Sequence, residues 1–402
     1  MIKGGTIARN TLRQTYMMFA FIVNIVVTMY MIATDDNMME ANMQNAHYFR
    51  LIYCGVWLVC AWWYIKDKHI EHTIQDTPTL FRWFIIFTIG ICISLMATHI
   101  GNIKQFVANV LLFIVPCLSL LGSFDIARQH DKKNYIFTFI FITILACIYS
   151  YISIFKSYNI LGIRGHFGVA YYALYLLPIM LASEKRWLRI ISILIVSIVI
   201  ISSVKRGGLV ALVLGLITYI IIAQLINKNN FKSAILLCTT LVIMSIFFYV
   251  MISFLGDNIL ERLFNSDDET GSGRLNIWES LVQRLSTQDL ELWVFGNGHL
   301  STTLYSWENL SAHNDFLEIL YNYGIFNLII YLIFFISLAK YTLTSIRRRS
   351  KYAPSLAMML IVYSILSMIS IIILSHTCTL AMISIGLLIG WSEQEKEQLE
   401  SL

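Results

Sequence analysis

Charge is what this sequence has least of. Only 13% of its 402 residues are Asp, Glu, Lys or Arg, 57% are hydrophobic, and the mean hydropathy is +0.69. Soluble domains carry about 25% charged residues, so a soluble enzyme is excluded. A soluble enzyme with a single membrane anchor is excluded as well, because apolar runs recur along the whole chain. Paired cysteines are missing too. All seven, Cys54, Cys60, Cys92, Cys117, Cys147, Cys238 and Cys378, fall within apolar runs and none makes a C-x-x-C pair, so neither a disulfide framework nor a zinc site is indicated. The net charge of +5 is not gathered into one patch or stripe, which sets nucleic acid aside as a partner.

What is present is about 12 apolar runs, at 15–34, 48–65, 80–99, 105–124, 135–155, 168–182, 187–203, 207–226, 234–255, 325–338, 356–374 and 377–391. The first is too long for the hydrophobic region of a cleavable signal peptide and has no small-x-small site close behind it, so it reads as a spanning helix. Placing the N-terminus in the cytoplasm puts Lys3, Arg9, Arg13, Lys66, Lys68, Arg128, Lys132, Lys133, Lys185, Arg186, Lys228, Lys232, Arg347, Arg348, Arg349, Lys351 and Lys396 on the inner face. The outer connections are far poorer in Lys and Arg. Residues 35–47 have none, and 256–324 have only Arg262, Arg274 and Arg284. That asymmetry is the positive-inside bias, and the reverse orientation violates it at nearly every loop.

The expectation is therefore an all-α, polytopic membrane protein with both termini cytoplasmic. Residues 1–255 hold nine transmembrane helices, 256–324 form one long extracytoplasmic loop, and 325–402 hold three more helices and a cytoplasmic tail. No internal repeat is visible. A connection as long as 256–324 is usually functional. After Gly271-Ser272-Gly273, Leu275, Trp278, Val282 and Leu285 fit one helical face. After Ser311, taken as N-cap, a second face carries Phe316, Leu317, Ile319, Leu320 and Tyr323. Such helices would lie on the membrane surface or close over a cavity.

Four outer segments carry candidate chemistry, each with a plainer alternative. Lys205-Arg206-Gly207-Gly208 is a basic turn between two apolar runs, either a snorkelling turn or an anion site placed against the charge bias. Gly271-Ser272-Gly273-Arg274 opens a helix, where free N–H groups and a guanidinium can face one anion, or where an arginine simply meets solvent. Ser311-Ala312-His313-Asn314-Asp315 puts His313 in a first helical turn that favours the neutral imidazole a base requires, though a lone histidine is commonly a surface or capping residue. Arg164-Gly165-His166 either lines a polar entrance or belongs to a Gly-rich connection. Asp35, Asp36, Asp267, Asp268 and Glu269 lack a convincing ligand pattern and read as solvated.

The order of these features resembles a known superfamily. Arg206-Gly207 comes first, then Gly273-Arg274-Leu275 with Trp278, then Gly296-Asn297-Gly298, then Ala312-His313-Asn314-Asp315-Phe316-Leu317-Glu318, and last Tyr323-Gly324. The sequence is similar to bacterial O-antigen ligases and Wzy-type O-antigen and capsule polymerases. Its Arg164-Gly165-His166-Phe167-Gly168 segment resembles another family segment but lacks that segment's Asn-Pro pair.

The resemblance implies a helical C-type glycosyltransferase fold in the bacterial inner membrane, with its site on the periplasmic face. It implies an undecaprenyl-diphosphate-linked glycan donor, a glycan acceptor, a chain-length regulator as protein partner, and inverting transfer without metal or other cofactor. In that reading Arg206 and Arg274 neutralise the diphosphate, His313 is the base, and Lys205, Arg164, His166 and Asn314 contact substrate. The segment from Ala312 to Gly324 reads more like polymerases than ligases, while ligation of the glycan to lipid A-core is the alternative. A peptidoglycan polymerase would need an outer-loop pattern that is not found. A lipid-linked glycan flippase or transporter is a further alternative, disfavoured because the charges cluster at one face rather than in mid-membrane.

Overall fold

The computed structural model describes residues 78–98, 103–128, 169–202, 206–226, 274–306, 310–375 and 377–401, together with scattered helical positions between 16 and 148. Among the described residues there are helices and no strands. The expected runs at 15–34, 48–65, 135–155 and 234–255 lie wholly or largely outside them, as do Arg164, His166, Lys205 and the acidic residues Asp35, Asp36, Asp267, Asp268 and Glu269.

The bundle helices are α1 (Thr79–Thr98), α2 (Ile103–Ala127), α3 (Val169–Leu181), α4 (Arg186–Ser202) and α5 (Arg206–Ile226). Four short helices follow, α6 (Arg274–Thr287), α7 (Leu290–Phe295), α8 (Ser301–Tyr305) and α9 (Asp315–Tyr323). The chain then returns to the bundle with α10 (Ile325–Arg347), α11 (Ala353–Ile369) and α12 (Thr377–Glu400). Among the described residues four segments are long and apolar enough to cross a membrane, Thr79–Thr98, Phe106–Ala127, Arg206–Ile226 and Ile325–Arg347, and Tyr171–Leu181 and Ala353–Ile369 are shorter apolar helices.

Burial explains the arrangement. α12 is buried on every side from Thr377 to Ser392, as a helix without a polar face must be if it forms the centre of a bundle. Small residues let α2 come close. A Cβ on Gly386 would fall 2.6 Å from the Leu120 carbonyl oxygen, and one on Gly390 would fall 2.6 Å from that of Phe124. Small residues at this four-residue spacing are how apolar helices bring their backbones together. α1 meets α10 through aromatic rings, with Phe84 5.0 Å from Phe334 and Phe87 5.0 Å from Tyr331, centroid to centroid.

Two ends of the bundle differ in charge. At one end Lys351 pairs with Glu184 at 3.1 Å, Arg348 with Glu393 at 3.3 Å, and Arg128 with Glu397. These are basic residues that the sequence assigns to the inner face. α10 leads from the opposite end to Arg347, α11 returns, and α12 comes back, so Gly324, Ile369 and Thr377 share the end away from these pairs. Three run boundaries are corrected. The run at 325–338 continues to Arg347, the one at 377–391 continues as helix through the expected tail to Glu400, and the one at 356–374 stops at Ile369.

Candidate active site at one end of the bundle

The stop at Ile369 is made by residues more than fifty positions away in sequence. The Asn314 amide Nδ2 donates to the Met368 carbonyl at 3.2 Å, and the Asp315 carboxylate accepts from the backbone N–H groups of Ile372 at 2.7 Å and Ile373 at 3.1 Å. A carbonyl and two N–H groups that would otherwise extend α11 are thereby taken by side chains, and Ser370 turns extended. Tyr331 donates to the other Asp315 oxygen at 3.2 Å.

α9 begins later than the sequence suggests. Its N-cap is Asn314 rather than Ser311, with the Asn314 oxygen accepting from Phe316 N at 3.0 Å and Leu317 N at 3.1 Å. His313 is consequently not in the first helical turn. It precedes the cap with φ +50, the left-handed region in which non-glycine residues are uncommon. Its neighbour Ala312 is buried and held at both ends. The Ala312 N–H donates to Glu318 Oε1 at 2.6 Å, and its carbonyl accepts from the Trp278 indole Nε1 at 2.7 Å. Glu318 also accepts from Thr302 Oγ1 at 2.6 Å and Asn322 Nδ2 at 2.8 Å, both on Oε2.

Burial raises the pKa of both carboxyls, against the opposing effect of the hydrogen bonds they accept. Asp315 is pushed up to about 7, and Glu318 is raised.

The remaining family-like segments act as latches. Asn297 N donates to the Tyr321 carbonyl at 2.9 Å and Gly298 N to that of Asn322 at 3.0 Å, while Thr302 N donates to Asn322 Oδ1 at 3.0 Å. α6 buries Ile277, Leu281 and Leu285, with Trp278 half-buried beside them. The expected face was rotated, since Leu275 is 53% exposed and Val282 56%. On α9 the inward face is polar as well as apolar, carrying Asp315, Glu318 and Asn322 beside Ile319.

Of the sequence-derived candidates, Arg206, Arg274 and His313 lie in segments that adjoin the end of α11. Arg206 opens α5 and is exposed, and its neighbour Gly207 packs so closely on Ile369 that a Cβ there would meet the Ile369 side chain at 2.1 Å. Arg274 opens α6 and acts electrostatically on Tyr171, which hydrogen-bonds Ser370. His313 reaches the same place through Asn314 and Met368. Segments that carry two arginines and a histidine thus adjoin one backbone break, and residues of these types could bind an anionic group and accept a proton beside it. Asn314, expected on substrate, has its amide engaged with α9 and Met368.

Sequence reasoning missed the burial of Asp315 and Glu318, the hydrogen bond from Trp278 to Ala312 and the break at 370. A signal was available in the carboxylates at 315 and 318 and the amide at 322, which share a helical face with Ile319. Acidic residues on an inward face are rarely buried unless paired.

Among the described residues the chain is a bundle of helices, several of them long and apolar enough to cross a membrane. A family model described as Wzy_C, O-antigen ligase, matches residues 190–332, so this part of the chain is similar to that family. The matched stretch contains Arg206, Arg274 and His313 but not the 368–373 segment around which they gather. No curated protein matches the chain.

Proposed function

We propose that the protein is a glycosyltransferase that polymerises undecaprenyl-diphosphate-linked oligosaccharide repeat units, making O-antigen or capsule at the outer face of the inner membrane. The observation that carries this reading is the meeting of the Arg206, Arg274 and His313 segments on the end of α11. Arg206 and Arg274 hold the donor diphosphate, whose planar, bidentate recognition suits guanidinium better than ammonium. The acceptor hydroxyl oxygen attacks the anomeric carbon from the face opposite the diphosphate, the carbon–oxygen bond to the diphosphate breaks, and His313 takes the hydroxyl proton. General base catalysis of this kind contributes about 10² to 10⁴ in rate. The leaving diphosphate keeps the bonding electrons, and the arginines stabilise the charge that develops on it. Lys205, Arg164 and His166 add contacts to the glycan diphosphate in this reading.

The reaction is metal-independent in this proposal, so synthesis by the purified protein should survive EDTA. Full loss restored by magnesium or manganese would transfer the electrostatic work to a cation. The topology that goes with it is a C-type arrangement of about 12 spans, nine before the 256–324 catalytic loop and three after it, with cytoplasmic termini. A chain-length regulator is the proposed protein partner. The gathering of Arg128, Arg348 and Lys351 at the end away from the site supports this orientation.

A second reading, ligation of the finished glycan to lipid A-core, is favoured by the family description of O-antigen ligase. Lipopolysaccharide from cells lacking the gene separates the two. A single repeat attached to core means that a polymerase has been lost. Bare core with polymer accumulating on the carrier means that a ligase has been lost. A flippase would move lipid-linked repeats across a reconstituted bilayer without making polymer.

A further inference from the structure

We propose that Trp278 and Glu318 are positioning residues that set the His313 imidazole by holding both ends of the Ala312 residue. This rests on the reading of His313 as base. A left-handed φ at a histidine is costly and persists only where its surroundings over-determine it. Here the over-determination can be traced atom by atom. The Glu318 carboxylate fixes the Ala312 N–H, and the Trp278 indole fixes the Ala312 carbonyl, leaving His313 the next rotatable residue. Its other side is fixed by the Asn314 cap and by Met368.

The chemistry of each group fits that task. Three donors converge on Glu318, from Ala312, Thr302 and Asn322, and only a carboxylate accepts on both of its oxygens. A glutamine would turn an N–H₂ toward one of these donors. Trp278 supplies the remaining link. It lies four residues after Arg274, one turn along the same helix, so the rigid rod that begins at the diphosphate arginine also carries the indole that holds the base's neighbour. The spacing of Arg274 and Trp278 therefore registers the anion site against the base. Misplacing a base by about 1 Å can cost a hundredfold in rate.

The test uses purified full-length protein in detergent. Turnover is measured on lipid-linked glycan extracted from cells lacking the gene, and binding is measured with undecaprenyl diphosphate. Trp278→Phe keeps an aromatic ring and loses the indole N–H. It should lower turnover at least about tenfold while undecaprenyl diphosphate binding and melting temperature stay near the parent values. Glu318→Gln should do the same or lose more.

The decisive measurement is the double variant. In a His313→Asn background, Trp278→Phe should cause no further loss of turnover, because the indole acts only through the imidazole. Multiplying losses in the double variant, or normal turnover in Trp278→Phe, would overturn the proposal. Should Glu318→Gln fail to fold, the half-buried Trp278 series decides alone. Normal turnover in His313→Asn itself would overturn the assignment of the base, a separate failure from that of the clamp.

Discussion

Asp315 is fully buried, and burial pushes its carboxyl from 3.8 up to about 7. The folded protein therefore holds its proton at pH values where the unfolded chain has released it. The contribution of this group to stability is fully present below about pH 4 and is lost as pH rises through about 7, because in that window the native state binds more protons at Asp315 than the unfolded one. Asp315→Asn removes the titration and keeps an oxygen for Ile372 and Ile373. The melting temperature of the parent relative to this variant should fall between pH 5 and pH 8, and a constant difference would contradict the buried carboxyl.

The division of labour at the site is tested by single residues as well. Asn tolerates the left-handed backbone of His313, so His313→Asn should fold normally, bind undecaprenyl diphosphate, and turn over at least about a hundredfold more slowly. Arg206→Lys and Arg274→Lys keep charge without the planar fork and should lose both activity and donor binding. Helix capping belongs to Asn314, not His313. Asn314→Ala should thus cost about 1 kcal/mol of stability, and loosen the Met368 contact besides.

At the scale of elements, α12 and α2 depend on backbone approach. A side chain at Gly386 or Gly390 meets carbonyl oxygens that cannot move aside, whereas Gly55 has nothing within 4 Å. Gly386→Leu should destabilise the protein by roughly 1 to 3 kcal/mol, and Gly55→Leu should be nearly neutral by the same thermal melt. The G-x-x-x-G at Gly386 and Gly390 is visible in the sequence, but its partner α2 is not, because an apolar helix offers many equivalent faces. The helix ends follow the same logic. The stop of α11 could not be read from the residues of α11, since the groups that compete for its backbone belong to α9.

For the whole molecule, the two ends of the bundle carry different chemistry, and their sides of the membrane can be read by labelling. The loop helices offer Leu290, which is 80% exposed, whereas Ser306 is buried and a poor target. A single cysteine at Leu290, in a protein freed of native cysteines, should react with an impermeant thiol reagent added from the periplasm. One at Lys396, whose side chain is 44% exposed beside Glu400, should react only after the inner membrane is opened. Reversal of that pattern would reverse the topology and move the proposed site to the wrong side of the membrane.

The sequence by itself determined the helical class and the apolar, span-length character of the helices, because each of these is a local property. Hydropathy is summed over a window of neighbours, and the Arg206, Arg274 and His313 segments carry their family likeness in a few adjacent residues. Tertiary structure alone decided that Asn314 and not Ser311 caps α9, that His313 takes a left-handed φ, that Asp315 and Glu318 are buried, and that α11 ends at Ile369. Each of these is the outcome of a competition for hydrogen bonds. The winning partner comes from another part of the chain, Met368 for Asn314, Ile372 for Asp315, Trp278 for Ala312, and burial makes leaving any of these groups unpaired too costly.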